Sequence, residues 1–124
     1  MRFLFWKALA GLFAYDLVGF GRNFARMHRF VCSRRVTSRT ASPDAVDRVC
    51  EAVNYACVVY PKAVLCLQRA AVTTCLLRTR GVSAEMVLGA QKMPFKAHAW
   101  TEVNGQPVNE RREVQKIYSV WERC

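Results

Sequence analysis

The chain has 124 residues, 52% of them hydrophobic, which fits a single domain with one modest core and excludes a disordered chain. Nineteen basic residues against nine acidic ones give a formal charge of +10, a field that suits an acidic peptide, an anionic membrane face or nucleic acid. The aromatic residues are not interleaved with the basic ones, and neither zinc-finger spacing nor an RNA-binding signature is present, so no nucleic-acid partner is expected.

Residues 1–31 are the most apolar part of the chain. Arg2 and the run behind it have the look of a signal peptide, but Asp16 interrupts the run and no small-residue cleavage site follows Gly19-Phe20-Gly21. A spanning helix needs about 20 apolar residues, and Lys7 and Asp16 break this stretch. It is expected to be a helix docked by its apolar side, trailed by Arg22, Arg26, Arg29, Arg34 and Arg35. Contact of residues 1–21 with an anionic membrane surface is the competing expectation. Residues 32–42 are small, polar and basic, a linker. The division expected is therefore an arm and linker over 1–40 and a core over 41–124.

Ser42-Pro43-Asp44 signals a helix start, with a hydroxyl cap, a proline at the first position and an acid in the first turn. Val46, Val49, Val53, Ala56, Cys57 and Tyr60 recur at helical spacing up to Pro61. A second helix is predicted over 66–80, with Arg78 and Arg80 at its negative end and Gly81 as the stop. Strands follow over 82–90 and 95–103. Asn104-Gly105 marks a tight hairpin, and residues 106–109 return, with Pro107 suiting an edge. Val114, Ile117, Tyr118 and Trp121 predict a short last helix.

Six cysteines stand at 32, 50, 57, 66, 75 and 124. Four fall in apolar helical patterns, where cysteine is a small core hydrophobe. None forms a CxxC pair and only two histidines exist, so no metal site and no cofactor are expected, and a reducing, cytoplasmic setting suits free thiols. Cys66 differs from the others. At the start of its helix it meets unsatisfied N–H groups and the positive end of the dipole, which favour a thiolate. His98 lies mid-strand between two alanines and is followed by Trp100, which can wall off water. A third group, to orient the imidazole, depends on hairpin register. A two-residue loop puts Asn109 on the face of His98, whereas a longer loop or a bulge puts Glu110 there.

The runs Cys66-Leu67-Gln68-Arg69-Ala70, Leu76-Leu77-Arg78-Thr79-Arg80-Gly81-Val82, Val87-Leu88-Gly89, Ala97-His98-Ala99-Trp100-Thr101-Glu102-Val103-Asn104-Gly105 and Val108-Asn109-Glu110 together resemble the transglutaminase-like leader peptidase of lasso-peptide biosynthesis. The resemblance covers residues 62–118. It implies an α+β fold with a papain/transglutaminase-like core, helices packed on a small antiparallel sheet, here preceded by the helical arm. It assigns Cys66 as nucleophile, His98 as base and Glu110 as acid, where the family usually carries Asp, with Asn109 the alternative orienting residue. Trp100 and Arg69 are the expected substrate contacts, with a structural ion pair the competing role for Arg69. The implied partners are a precursor peptide, a leader-recognition protein and an ATP-dependent macrolactam cyclase. The competing functions are a non-catalytic binding subunit and a membrane-surface adaptor.

Overall fold

Leu4, Ala8, Leu12 and Tyr15 recur at three and four residues and form the buried side of helix α1 (Arg2–Leu17). In the computed structural model, which describes residues 2–38 and 40–124, this side packs on two later helices. Met1 of the expected arm and Arg39 of the expected linker lie outside the described residues. α1 has almost no polar face. Its outer side exposes Phe3, Trp6, Phe13 and Leu17. Among the described residues no helix is long and apolar enough to cross a membrane.

A turn of 3-10 helix (Phe20–Arg22) leads into α2 (Phe24–Ser33), whose first turn is capped by the Asn23 side chain accepting from the Arg26 N–H at 3.1 Å. α2 occupies sequence that the reading above divides between arm and linker. Its buried Met27 and Val31 are spaced one turn apart on an otherwise basic segment, too few apolar positions to stand out. Helix α3 (Ala45–Val59) begins just after the predicted start. The Ser42 hydroxyl donates to Asp44 at 2.8 Å instead of capping the helix. Val49, Ala52, Val53 and Ala56 on α3 join Leu4, Ala8 and Leu12 of α1 in one apolar cluster.

Helix α4 (Cys66–Thr79) lies between this cluster and the sheet. Val72 and Leu77 face the helices, while Ala70 and Ala71 meet Met86, Leu88 and Ala99 of the strands. The sheet is antiparallel, built from β1 (Ala84–Gln91), β2 (Lys96–Val103), β3 (Gln106–Val108) and β4 (Ser119–Arg123) in the order β3-β2-β1-β4. Helices packed against a small antiparallel sheet give the expected α+β fold.

The chain departs from expectation at its end. Helix α5 runs only from Val114 to Ile117, and residues predicted to continue it instead pair with β1 as β4. Val114 and Tyr118 do share one side, packing on Trp100 and Val87, so the helical spacing is real over one turn. Beyond it the unpaired edge of β1 offers a ladder of hydrogen bonds that a single exposed helical turn cannot match. Cys32 and Cys124 are joined in a disulfide, contrary to the expectation of free thiols throughout; Cys50, Cys57, Cys66 and Cys75 are free. Two elements with no apparent link in the sequence, the end of α2 and the end of β4, are brought side by side by the fold.

Arg78 fixes this corner. Only 6% exposed, its guanidinium donates to the main-chain oxygens of Ala84 at 3.0 Å, Val31 at 2.7 Å, Arg34 at 3.2 Å and Cys124 at 2.5 Å. One side chain thus ties α4 to α2, β1 and β4, through the five-donor fork that lysine lacks. Replacement by methionine removes all four of these charge-assisted bonds, each worth roughly 1 kcal/mol or more, although the Val31 and Cys124 oxygens keep main-chain donors from Arg34 and Met86. Arg78→Met is expected to lower the unfolding free energy by about 3 kcal/mol in urea titration, and Arg78→Lys to recover less than half of the loss.

Candidate active site

Cys66 is the first residue of α4, entered directly from Leu65 in extended conformation, and no side chain caps this helix end among the described residues. The first-turn N–H groups therefore stay available to whatever binds beside the thiol. The same turn is anchored from below by Gln68, which is 3% exposed. Its amide donates to the Leu12 carbonyl at 3.0 Å and to Asp16 at 3.3 Å. Tyr60 and Lys62 also bond Asp16, the latter at 3.1 Å. Burial raises the pKa of Asp16, but the bonds from Tyr60, Lys62 and Gln68 outweigh it and hold the carboxyl below its usual range. The residue that interrupts the apolar run of α1 is the one that locks α1 to the start of α4.

The seam between α4 and β2 is polar at its centre. Thr101 donates to the Ala70 carbonyl at 3.2 Å and meets the Thr74 hydroxyl at 3.0 Å. Walking back along β2 from Thr101 leads to Trp100, Ala99 and His98, all lining one small cleft of about 50 Å³ with Cys66, Arg69, Ala70 and Thr73. Val108, Asn109 and Glu110 complete the lining. The expected site residues Cys66, His98, Glu110, Asn109, Trp100 and Arg69 are therefore gathered on a single cleft.

Hairpin register is that of the two-residue loop, with Val103 opposite Gln106 and Thr101 opposite Val108. Asn104 and Gly105 have φ of 53° and 76°, the pair of positive values that this turn needs. Simple alternation would carry Asn109 to the histidine face. Instead the ladder stops at Val108 and Asn109 takes φ 60°, in the left-handed region that asparagine tolerates. The turn brings Glu110 round to His98, whose Nε2 lies 2.6 Å from Glu110 Oε2. Asn109 goes elsewhere: its side-chain and main-chain oxygens accept from Arg69 at 2.9 and 3.2 Å. Arg69 also donates to Asn54 on α3 at 2.8 Å.

His98 rests on aromatic rings, stacked with Trp100 and Tyr118 at 5.9 and 5.3 Å between centroids. Gly89 faces it across the ladder. A Cβ there would sit 2.9 Å from Trp100, 3.0 Å from the Tyr118 Cβ and 3.1 Å from the Ser119 carbonyl oxygen, so only glycine lets the stack close. Below it, Trp100 is 2% exposed and donates its indole N–H to Glu102 at 2.8 Å. Glu102, itself 1% exposed, also accepts from Gln115 at 2.9 Å and Arg123 at 2.6 Å. Burial pushes its pKa up, but the bonds from Arg123, Gln115 and Trp100 together hold it below the ordinary glutamate range. Gly89, Glu102 and Tyr118 receive no site role from the sequence, although Gly89 and Glu102 stand in the runs that carry the family resemblance.

The other free thiols are set apart from Cys66. Burial pushes Cys50 up to about 11 and also raises Cys57 and Cys75, which keeps them protonated at neutral pH. None of the three lines the cleft.

Family comparison agrees with this architecture. The transglutaminase-like superfamily matches residues 12–122, and the chain belongs to it. The chain is also similar to the microcin J25-processing protein McjB of Escherichia coli, with 36% identity over 45 residues, covering 36% of this chain and 22% of that protein. The matched stretch is thus less than a quarter of the relative. No solved structure matches.

Two expectations follow. Because the folded Glu102 carboxyl titrates below its unfolded counterpart, its contribution is complete above the ordinary glutamate range and is lost as pH falls through the folded value. Glu102→Gln is expected to cost about 2 kcal/mol near neutrality, with the gap to the unaltered protein narrowing in urea titrations as pH is lowered toward about 3. Gly89→Ala is expected to destabilise by about 1–3 kcal/mol through overpacking and to shift the ring resonances of His98 and Tyr118 in NMR spectra.

Proposed function

We propose that this chain is a cysteine peptidase that cleaves the leader from a ribosomally made precursor of the lasso-peptide class. The observation that carries the reading is the 2.6 Å bond between His98 Nε2 and Glu110 Oε2 on a cleft that also holds Cys66 at the head of α4. The carboxylate fixes the orientation of the imidazole, leaving Nδ1 to exchange a proton with the thiol. Cys66 then attacks the carbonyl at the leader–core junction. The oxygen that becomes negative is met by main-chain N–H groups of the first turn of α4, which no side chain caps. His98 gives its proton to the departing amine, and water hydrolyses the thioester to free the leader.

Gln68 is bound into the Asp16 network, so the oxyanion donors in this reading are backbone groups. Arg69 and Trp100 line the cleft and are the residues this reading sets against a bound peptide. Glu110 is the acid of this reading; Asn109 holds Arg69 instead.

The similarity to a microcin-processing protein supports the substrate class. With it come the proposed partners: the precursor, a leader-recognition protein that delivers it, and an ATP-dependent macrolactam cyclase that closes the ring. An ATP-dependent partner sets the step in the cytoplasm. The net charge of +10 favours an acidic leader or partner.

Incubating the protein with precursor and recognition protein, with cleavage read by mass spectrometry, tests the assignment. Cys66→Ala and His98→Ala are each expected to lower the rate by about 10³-fold or more, with Glu110→Gln falling between these and the unaltered protein. Cleavage that persists in Cys66→Ala would remove the nucleophile. Precursor binding without cleavage in the unaltered protein would favour a non-catalytic subunit.

A further inference from the structure

The disulfide between Cys32 and Cys124 has company. His28 stands one turn before Cys32 on α2, the spacing at which a helix presents two side chains to one point. Its Nε2 lies 3.5 Å from Cys32 Sγ and 3.8 Å from Cys124 Sγ. Glu122 on β4 places Oε1 4.0 Å from the same nitrogen. The two sulfurs and the imidazole all lie within 4.8 Å of one another.

We propose that, once the disulfide is reduced, Cys32, Cys124 and His28 form a binding site for a borderline-soft divalent cation, of which zinc is the type, with Glu122 or water in the fourth position. The donor set is the first argument. Two thiolates and a neutral imidazole are ligands that zinc prefers, and hard cations such as magnesium or calcium do not. The spacing is the second. Zinc–sulfur bonds of about 2.3 Å and zinc–nitrogen bonds of about 2.0 Å at tetrahedral angles place sulfur and nitrogen about 3.5 Å apart, close to the two separations observed. Only the sulfurs need to move, and breaking their bond frees them to do so.

Electrostatics is the third argument. The chain carries +10 overall, yet two thiolates beside Glu122 make a local concentration of negative charge that a divalent ion balances. Access is open, since Cys32 is exposed and His28 and Cys124 are half-buried. The reaction balances with a thiol reductant. Two reductant thiols convert the protein disulfide to two cysteine thiols and leave as their own disulfide; the cation then displaces two thiol protons into solvent. In both states the same two elements, α2 and β4, are held together. The sequence hides such a site because one ligand comes from 92 residues away, with no paired-cysteine motif to announce it.

The test uses the full chain with Cys66→Ala to remove the cleft thiol, reduced, freed of metal and kept under argon. Cobalt(II) is titrated in, read by its thiolate charge-transfer and ligand-field absorption, and then displaced with zinc. One cobalt per chain is expected, with absorption typical of thiolate ligands in tetrahedral geometry. These bands should vanish in Cys32→Ser and Cys124→Ser, and His28→Ala should weaken binding at least tenfold. His28→Ala retains both cysteines, so it can be prepared as the folded disulfide form and its circular dichroism followed through reduction. Thiolate bands absent from the reduced parent, or undiminished in all three variants, would overturn the proposal. No step of the test depends on peptide cleavage, so its failure leaves the peptidase reading untouched, and loss of that reading leaves the site standing.

Discussion

Where helix α4 crosses strand β2, the Thr101 hydroxyl gives its single proton to the Ala70 carbonyl and accepts one from Thr74. This buried contact sets the height of the helix against the strand. A purely apolar seam would allow α4 to slide at small cost; a pair of buried hydroxyls that must each find a partner does not. Cys66 is one turn from Ala70, and His98 is three residues from Thr101, so the separation of thiol and imidazole is fixed by a contact that touches neither.

Three further polar groups hold the frame around that seam. Asp16 joins α1 to the first turn of α4 through Tyr60, Lys62 and Gln68. Arg78 closes the other end of α4 onto α2, β1 and β4. Glu102 supports Trp100, on which His98 lies. The core clusters themselves are built largely of alanine and valine, side chains too small to specify one arrangement alone. The buried polar contacts supply that specificity.

Much of this was legible in the residues. The starts of α3 and α4, the Asn104-Gly105 hairpin and the placement of Cys66 and His98 all follow local signals such as Pro43 ahead of α3, turn residues and helical spacing, although among the described residues no side chain caps either helix start. What escaped was set by distant partners. β4 forms because β1 has a free edge, which no property of Val120 or Trp121 announces. α2 has only two buried residues, Met27 and Val31. The Cys32–Cys124 pair and the Arg78 clamp bring together elements far apart in sequence. Register alone leaves Asn109 and Glu110 open for a different reason: alternation holds up to Val108, where a single left-handed residue, Asn109, ends the strand.

That left-handed residue links two positions that would otherwise vary independently. Asn109 supplies both the backbone turn and the brace to Arg69, and the turn determines how far the next carboxylate must reach to His98. A side chain at 109 that resists a positive φ would therefore draw the carboxylate away from His98 and release Arg69 in the same step.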